Sequence, residues 1–475
     1  MMLKNQIFNI IKDSSFYGLS KVLGQLVSFF LIPLYTSYLS PEEYGILNIL
    51  GLASVSFGIF MAFGIDSATY RYVGMNDDTE IQKKYLANAQ LLTITSILFF
   101  VFVLLLFSNK VNTIILNPKS SIFYFFLAIG NAIFYSISSI PRAFLRINRK
   151  VKVIAISSLI NVIGSIFSTL IFVVVLKLGV LGALLGNLSG TLLSSGYVIL
   201  FTNIPQIKDF DWDRSKELIY YCLPVLPAQI FGFFIPLYSQ WSVKDLLSLT
   251  DLGMYSIGLK FTMPLTLIMS MFQQAYGPYK FQILKEDNDP KKKFSTIMNL
   301  FLICFGLAVL FVSFFGGEVL KLMTSKEYHE ASRYVFYIAL LPFGQGLYFM
   351  FASGLEFAKK TIYRPIISGM GLVSVLLLNH WFIINYGVPG AVLSIYLSWC
   401  VQALGNLIYS QKLFPIKYNW ILIICVVILV PIVGYLVNDF WQFGILFKGA
   451  IFSVLIVAIF IVAQRKYNLL NLLKS

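Results

Sequence analysis

The 475-residue chain is 58% hydrophobic and 12% charged, against about 25% charged in soluble domains, which excludes an ordinary soluble globular protein. Its formal net charge is +15, but the Lys and Arg residues alternate loop by loop instead of lining one face, which excludes a nucleic-acid surface. Cys222, Cys304, Cys400 and Cys425 sit singly in apolar stretches with no CxxC pair, which excludes a disulfide framework or a thiolate metal site.

Apolar windows long enough to cross a bilayer follow one another along the chain. They occupy approximately 15–38, 44–66, 86–108, 121–142, 153–176, 179–201, 217–241, 252–273, 294–316, 331–354, 362–384, 387–411, 419–437 and 443–463. The first is longer than a signal-peptide core and has no small-residue cleavage site after it, so it is expected to remain as a span. With the N-terminus inside, about three quarters of the 36 Lys and Arg residues fall on inner segments, for example Arg142, Arg146, Arg149, Lys150 and Lys152 in one loop. The outer segments hold eight, among them Lys110, Lys244 and Lys326. This is the positive-inside distribution. It predicts about fourteen transmembrane helices with both ends in the cytoplasm.

The chain also repeats itself. Phe29-Phe30-Leu31-Ile32-Pro33-Leu34-Tyr35 returns as Phe233-Phe234-Ile235-Pro236-Leu237-Tyr238, and Glu43-Tyr44-Gly45 as Asp251-Leu252-Gly253. Arg149-Lys150 returns as Lys359-Lys360, and Gly179-Val180-Leu181-Gly182-Ala183 as Gly387-Val388-Pro389-Gly390-Ala391. Four matches in order at nearly one offset indicate a duplication of six spans. Six is even, so the halves enter the membrane from the same side, as parallel repeats. The expected fold is an all-α polytopic membrane protein. It has two pseudo-symmetric six-helix lobes, 1–208 and 209–415, and two additional helices in 416–475. Pro33 and Pro236 then mark matched helix bends beside a cleft, tolerable where neighbouring helices or water satisfy the freed carbonyls. Gly182, Gly186 and Gly190 form a small-residue stripe for close helix packing.

No phosphate-binding loop, dinucleotide fingerprint or HExxH motif occurs, and His329 and His380 are far apart. An enzyme such as a membrane polymerase or glycosyltransferase is therefore disfavoured, as is an ATP-driven pump, and no cofactor or metal is expected. A secondary transporter or flippase fits best.

The stretch YGLSKVLGQLVSFFLIPLYTSYLSPEEYGILNIL at 17–50 resembles the opening of the bacterial polysaccharide flippases. These are Wzx-like members of the multidrug/oligosaccharidyl-lipid/polysaccharide exporter superfamily. TDLGMYSIGLKF at 250–261 is similar to the opening of that family's second lobe. The resemblance implies transfer of an undecaprenyl-pyrophosphate-linked oligosaccharide repeat unit from the inner to the outer leaflet of the bacterial cytoplasmic membrane. It also implies a cavity lined by cations and polar groups, and alternating access. Membrane lipids, a polysaccharide polymerase and glycosyltransferases are the implied partners of a monomer.

Cations at membrane depth are rare and usually functional, and a pyrophosphate needs them. Lys260 lies about 12 Å into its span and Lys21 about 9 Å, at the helical rise. Arg142 and Arg146 share a helix face by their i,i+4 spacing at the cytoplasmic mouth, with Arg71 closing the second span. Gln25, Asn131 and Asn161 are candidates for sugar hydroxyls. Each has a plainer alternative: Lys21 can snorkel to the surface, and Arg142 and Arg146 can be ordinary inner-face anchors. A cation antiporter of the same superfamily remains the rival function. It would need buried acids, and Asp66 is the one acid placed near a cavity.

Overall fold

The computed structural model describes residue 29 and residues 31–454, apart from 75, 77, 117–120, 149, 203–209, 287–288, 358–362 and 441–443. Lys21 and Gln25 lie outside the described residues, with most of the span expected at 15–38 and the end of that at 443–463. Every regular element among the described residues is a helix. This follows from the solvent, because hydrocarbon offers no partner to a backbone N–H or C=O and a helix satisfies both internally.

In chain order the first helices are α1 (Ile32–Tyr38), α2 (Pro41–Ala62), α3 (Ile65–Gly74), α4 (Thr79–Leu106) and α5 (Ser108–Ile115). Next come α6 (Ile122–Ile137), α7 (Ser139–Ile147), α8 (Val151–Thr169, continued by a π-helical turn at Leu170–Val175), α9 (Gly179–Leu200) and α10 (Trp212–Leu246). The rest are α11 (Leu249–Phe261), α12 (Met263–Glu286), α13 (Pro290–Met323), α14 (Val335–Phe351), α15 (Ser353–Phe357), α16 (Tyr363–Leu413) and α17 (Trp420–Tyr435). Nine described helical segments are long and apolar enough to cross a membrane, ten if α11 and α12, bent by 49°, form one span.

The described residues fall into two compact units, divided between Gly253 and Met254. In the first, Phe57, Met61, Ile97, Phe125 and Ile129 form one core between α2, α4 and α6. Ile65, Ala68, Leu86, Ile140 and Leu218 form another between α3, α4, α7 and α10. Polar contacts tie α10 to this unit at both ends. At one end Asn88 Oδ1 accepts the Asp211 backbone N–H (3.0 Å) and the Ser215 hydroxyl (2.8 Å), and the Tyr85 hydroxyl bonds Glu217. At the other, Lys244 Nζ and Trp241 Nε1 both donate to the Ile114 carbonyl, and Asn48 donates to Gln240. Desolvation works against the ionised Asp211, but Arg214 and the Asp213 and Arg214 backbone N–H groups outweigh it. They hold this carboxyl below the usual carboxylate range.

Glycine decides how closely helices cross. Gly45 and Gly253 pack reciprocally: a Cβ on the first would overlap the Leu249 carbonyl, and one on the second the Pro41 carbonyl. These are the glycines of the repeated Glu43-Tyr44-Gly45 and Asp251-Leu252-Gly253 phrases. The stripe on α9 packs on α8, where a Cβ at Gly182 would stand 2.8 Å from the Phe172 carbonyl and one at Gly190 would overlap Ser165.

In the second unit, one large core runs through α12, α13, α14, α16 and α17, with Met269, Phe301, Phe314, Phe343 and Val430 among its buried members. α16 is 51 residues long, and its helical geometry breaks at Gly387 (φ 63°). It doubles back there as an antiparallel pair. The Ser398 hydroxyl donates to the Gly371 carbonyl at 2.8 Å, the Ser394 hydroxyl donates to Asn379 Oδ1 at 2.7 Å, and a Cβ at Gly390 would overlap the Phe382 carbonyl. Gly179, at the corner between α8 and α9, has the same left-handed backbone (φ 55°), which a Cβ disfavours. The repeated phrases beginning at Gly179 and Gly387 thus both start on a positive-φ glycine at a chain reversal, and Gly182 and Gly390 each lie against a carbonyl of the preceding helical segment.

Pro33 lies in the first turn of α1, after Leu31, where a missing N–H costs little. The hydroxyls of Thr36 and Ser37 donate to the Pro33 carbonyl at 3.3 and 2.7 Å. Pro236 lies within α10, which continues through it.

These packings predict that Gly190→Val lowers the thermal unfolding midpoint of detergent-purified protein, at an overpacking cost of about 1–3 kcal/mol. Gly196→Val on the same helix, with open space around it, leaves the midpoint unchanged. Equal midpoints for the two variants would contradict the close α8–α9 crossing.

Candidate functional site

A cavity of about 410 Å³ opens within the first unit, between α2, α3, α6 and α7. Its α2 wall is built from Gly51, Ser54, Val55 and Gly58, which share a helix face by their spacing of three and four. Small side chains leave the room, and a Cβ on Gly51 would meet nothing within 4 Å. The α2–α6 crossing behind them is fixed by the Ser54 hydroxyl, which donates to the Ala128 carbonyl at 2.6 Å.

The opposite wall carries the charge. α6 ends at Ile137 and α7 starts at Ser139, with Ser138 at the junction. Arg142 hangs below that break. Its Nε donates to the Ser138 hydroxyl (3.2 Å) and its Nη2 to the Ser194 hydroxyl on α9 (2.9 Å). Ser195 in turn donates to the Phe134 carbonyl at 2.7 Å and lies 3.2 Å from Ser138. The Arg142 guanidinium also stands 6.0 Å from the Tyr135 ring centroid. One turn on, Arg146 Nη1 donates to the Tyr70 hydroxyl at 3.1 Å. Neither arginine forms a salt bridge among the described residues.

The third wall is α3. Phe63 ends α2 in the left-handed region (φ 50°), so the chain turns sharply into α3. Asp66 and Tyr70, one turn apart, then both line the cavity. Two guanidinium groups therefore face one carboxylate, with Asn131, Ser54 and Ser139 adding neutral polar groups. Such a site suits an anion carrying hydroxyl groups.

Of the residues singled out from the sequence, Arg142, Arg146 and Asn131 meet here, with Asp66. Arg71 does not. It is exposed on α3, 5.1 Å from the Tyr221 ring centroid, and does not line the cavity. Asn161 is on α8, where its carbonyl faces Gly190. Lys260 lies in the second unit, half-buried on the last turn of α11 beside the bend into α12. Sequence reasoning missed Tyr70, Tyr135, Ser139 and Ser194. Tyr70 was within reach, four residues after Asp66, and Tyr135 seven before Arg142 on the same face. Ser194 comes from a distant helix and carries no such signal.

In the second unit the cations are treated differently. Lys280 is 3% exposed and ion-paired to Glu356, which also binds Arg364. Lys280 Nζ lies 5.1 Å from the Phe349 ring centroid as well. That cluster joins α12, α15 and α16 and carries its own counter-ion.

The sequence profile of polysaccharide biosynthesis proteins matches residues 10–284, more than half of the chain. The chain belongs to the polysaccharide biosynthesis protein family. This family member has the fold of the lipid II flippase MurJ in its inward closed conformation. The two are 17% identical with a TM-score of 0.66, over 96% of this chain and 99% of that one. An inward-facing MATE-family multidrug resistance transporter of the MOP superfamily is 16% identical (TM-score 0.56, covering 82% and 94%). The Vibrio cholerae MATE transporter VcmN in its bent form is 16% identical (TM-score 0.51, covering 86% and 97%). No curated protein matches the sequence. With its apolar helices, this family member is a multi-pass membrane protein.

If the cavity is open to water, a thiol in it reacts with a charged, water-soluble reagent. With Cys222, Cys304, Cys400 and Cys425 replaced by serine, Asn131→Cys is expected to react at least about tenfold faster than Phe125→Cys, which is buried in the neighbouring core. Similar rates would mean a dry cavity.

Proposed function

We propose that this protein is a flippase that moves an undecaprenyl-pyrophosphate-linked oligosaccharide repeat unit from the inner to the outer leaflet of the bacterial cytoplasmic membrane. The observation that carries this reading is the cavity lined by Arg142 and Arg146, neither of which forms a salt bridge among the described residues, in a chain of the polysaccharide biosynthesis family. A pyrophosphate cannot enter hydrocarbon without cations, and arginine binds phosphate oxygens in a fixed fork. The cavity falls within the ~300–1,000 Å³ of small-molecule sites, a size suited to a headgroup while the polyprenyl chain stays in lipid.

In this reading the cytoplasmic mouth contains Arg142 and Arg146, which receive the pyrophosphate. Asp66, Asn131 and Tyr70 face the first sugar, where a carboxylate and an amide can accept and donate bonds to hydroxyls. Lys260 and Lys21 take over the phosphates deeper in the membrane, and Gln25 and Asn161 are further candidates for the sugar hydroxyls. Transport proceeds by alternating access of the lobes 1–208 and 209–415, with Pro33 and Pro236 as helix bends in them. Both termini are cytoplasmic, and the polymerase and glycosyltransferases of the same polysaccharide are the partners of a monomer. The membrane potential, negative inside, favours outward movement of an anion by roughly 4.6 kcal/mol for two charges across 100 mV. No chemical step is needed. The rival reading, a cation antiporter, would centre on Asp66, but two guanidinium groups beside it oppose a cationic substrate.

The test is surface polysaccharide in cells carrying variants inserted at normal levels. Arg142→Gln combined with Arg146→Gln is expected to lower it by about 30-fold or more, the scale of a lost buried charged contact. Arg71→Gln changes it by less than about twofold, the scale of an exposed charge. Lys260→Ala abolishes it and Lys260→Arg retains part. Normal export by the double arginine variant would overturn the proposal. Loss of cation efflux with polysaccharide intact in Asp66→Asn would establish the antiporter instead.

A further inference from the structure

A second basic site lies in the second unit, away from the cavity described above. The start of α13 and the start of α17, with the loop between α16 and α17, enclose a cleft of about 710 Å³. Lys291, Lys292 and Lys417 line it, and all three are exposed. Among the described residues none of them forms a salt bridge. Asp289 is the one acid in the lining, and its carboxylate is engaged by the Lys292 backbone N–H at 3.1 Å.

The frame that spaces these lysines is well bonded. The Ser295 hydroxyl donates to the Lys417 carbonyl at 2.8 Å, joining α13 to the loop. Gln411 brackets Ile416, donating to its carbonyl at 2.8 Å and accepting its N–H at 2.9 Å. Lys291 Nζ stands 5.1 Å from the Phe414 ring centroid.

One side of the cleft leads onto lipid-facing surface. Trp420 lines it and is 45% exposed, and along α17 beyond it Ile421, Ile424, Ile428 and Leu429 are exposed as well. Tryptophan at the end of an apolar helix is the usual marker of the membrane–water boundary, and the charge distribution places this boundary on the cytoplasmic side. A concentration of lysines there attracts anionic headgroups.

We propose that this cleft binds the headgroup of an anionic phospholipid of the cytoplasmic leaflet, with its acyl chains along the exposed face of α17. Charge complementarity selects an anion, and the adjoining apolar strip selects a lipid over a soluble phosphate. The site is independent of the transport reading, because it shares no residue with the cavity of the first unit.

The test uses the full-length protein in nanodiscs of phosphatidylcholine with roughly one-fifth phosphatidylglycerol, followed by native mass spectrometry of retained lipid. The triple variant Lys291→Gln, Lys292→Gln, Lys417→Gln should lose retained phosphatidylglycerol by at least about tenfold. The matching arginine triple should retain it. A control, Lys83→Gln, Lys84→Gln, Lys152→Gln, removes as much charge elsewhere and should change retention by less than about twofold. Unchanged retention in the glutamine triple would overturn the proposal, as would an equal loss in the control. Displacement of the lipid by millimolar inorganic phosphate would assign the cleft to a soluble anion and overturn the lipid assignment.

Discussion

The cost of holding a guanidinium between membrane-spanning helices governs how the first unit is built. A guanidinium taken out of water between helices loses its hydration, so Arg142 needs either an acid or a set of neutral acceptors. It has the second. The break at Ser138 separates α6 from α7, and Ser138 and Ser194 accept from the guanidinium without neutralising it. The small residues of α2 leave space in front of it, and α3 brings Tyr70 to Arg146. The positive charge is therefore positioned and still available, a state that a bound anion would relieve.

The two units resolve this cost in opposite ways. Both contain an antiparallel helix pair with a positive-φ glycine at the reversal, Gly179 in one and Gly387 in the other, and with Gly182 and Gly390 against a carbonyl of the preceding helical segment. Where the first unit leaves Arg142 and Arg146 facing a cavity, the second closes Lys280 and Arg364 onto Glu356. Breaking a buried pair strands a charge and is strongly destabilising, so the second cluster acts as a clasp between α12, α15 and α16. The first unit thus leaves two arginines facing a cavity, and the second holds a buried ion cluster.

Much of this was legible in the sequence, for definite reasons. Helix formation follows from apolar length, because hydrocarbon leaves the backbone no other choice. The i,i+4 spacing of Arg142 and Arg146 and the stripe Gly182, Gly186, Gly190 are local patterns, and the helix brings their members together directly. What could not be read depends on contacts between distant segments. Ser194 supports Arg142 from another helix, and Asn88 anchors the start of α10 across more than a hundred residues. The repeat of Glu43-Tyr44-Gly45 was visible, but that its glycine meets its own counterpart, Gly253, was not. The sequence locates Lys260 only along its apolar stretch, while its surroundings are set by the bend after Phe261, which no local pattern announces.

Recognition of a lipid-linked pyrophosphate by the arginine-lined cavity is tested most directly by equilibrium binding to detergent-purified protein. Undecaprenyl pyrophosphate is compared with undecaprenol, which has the same polyprenyl chain and no phosphate. The pyrophosphate is expected to bind at least about tenfold tighter, as charged hydrogen bonds of about 1.5–3 kcal/mol each require. Arg142→Gln is expected to remove most of that difference while leaving undecaprenol binding unchanged. Equal affinities for the two lipids, or a preference untouched by Arg142→Gln, would contradict this recognition.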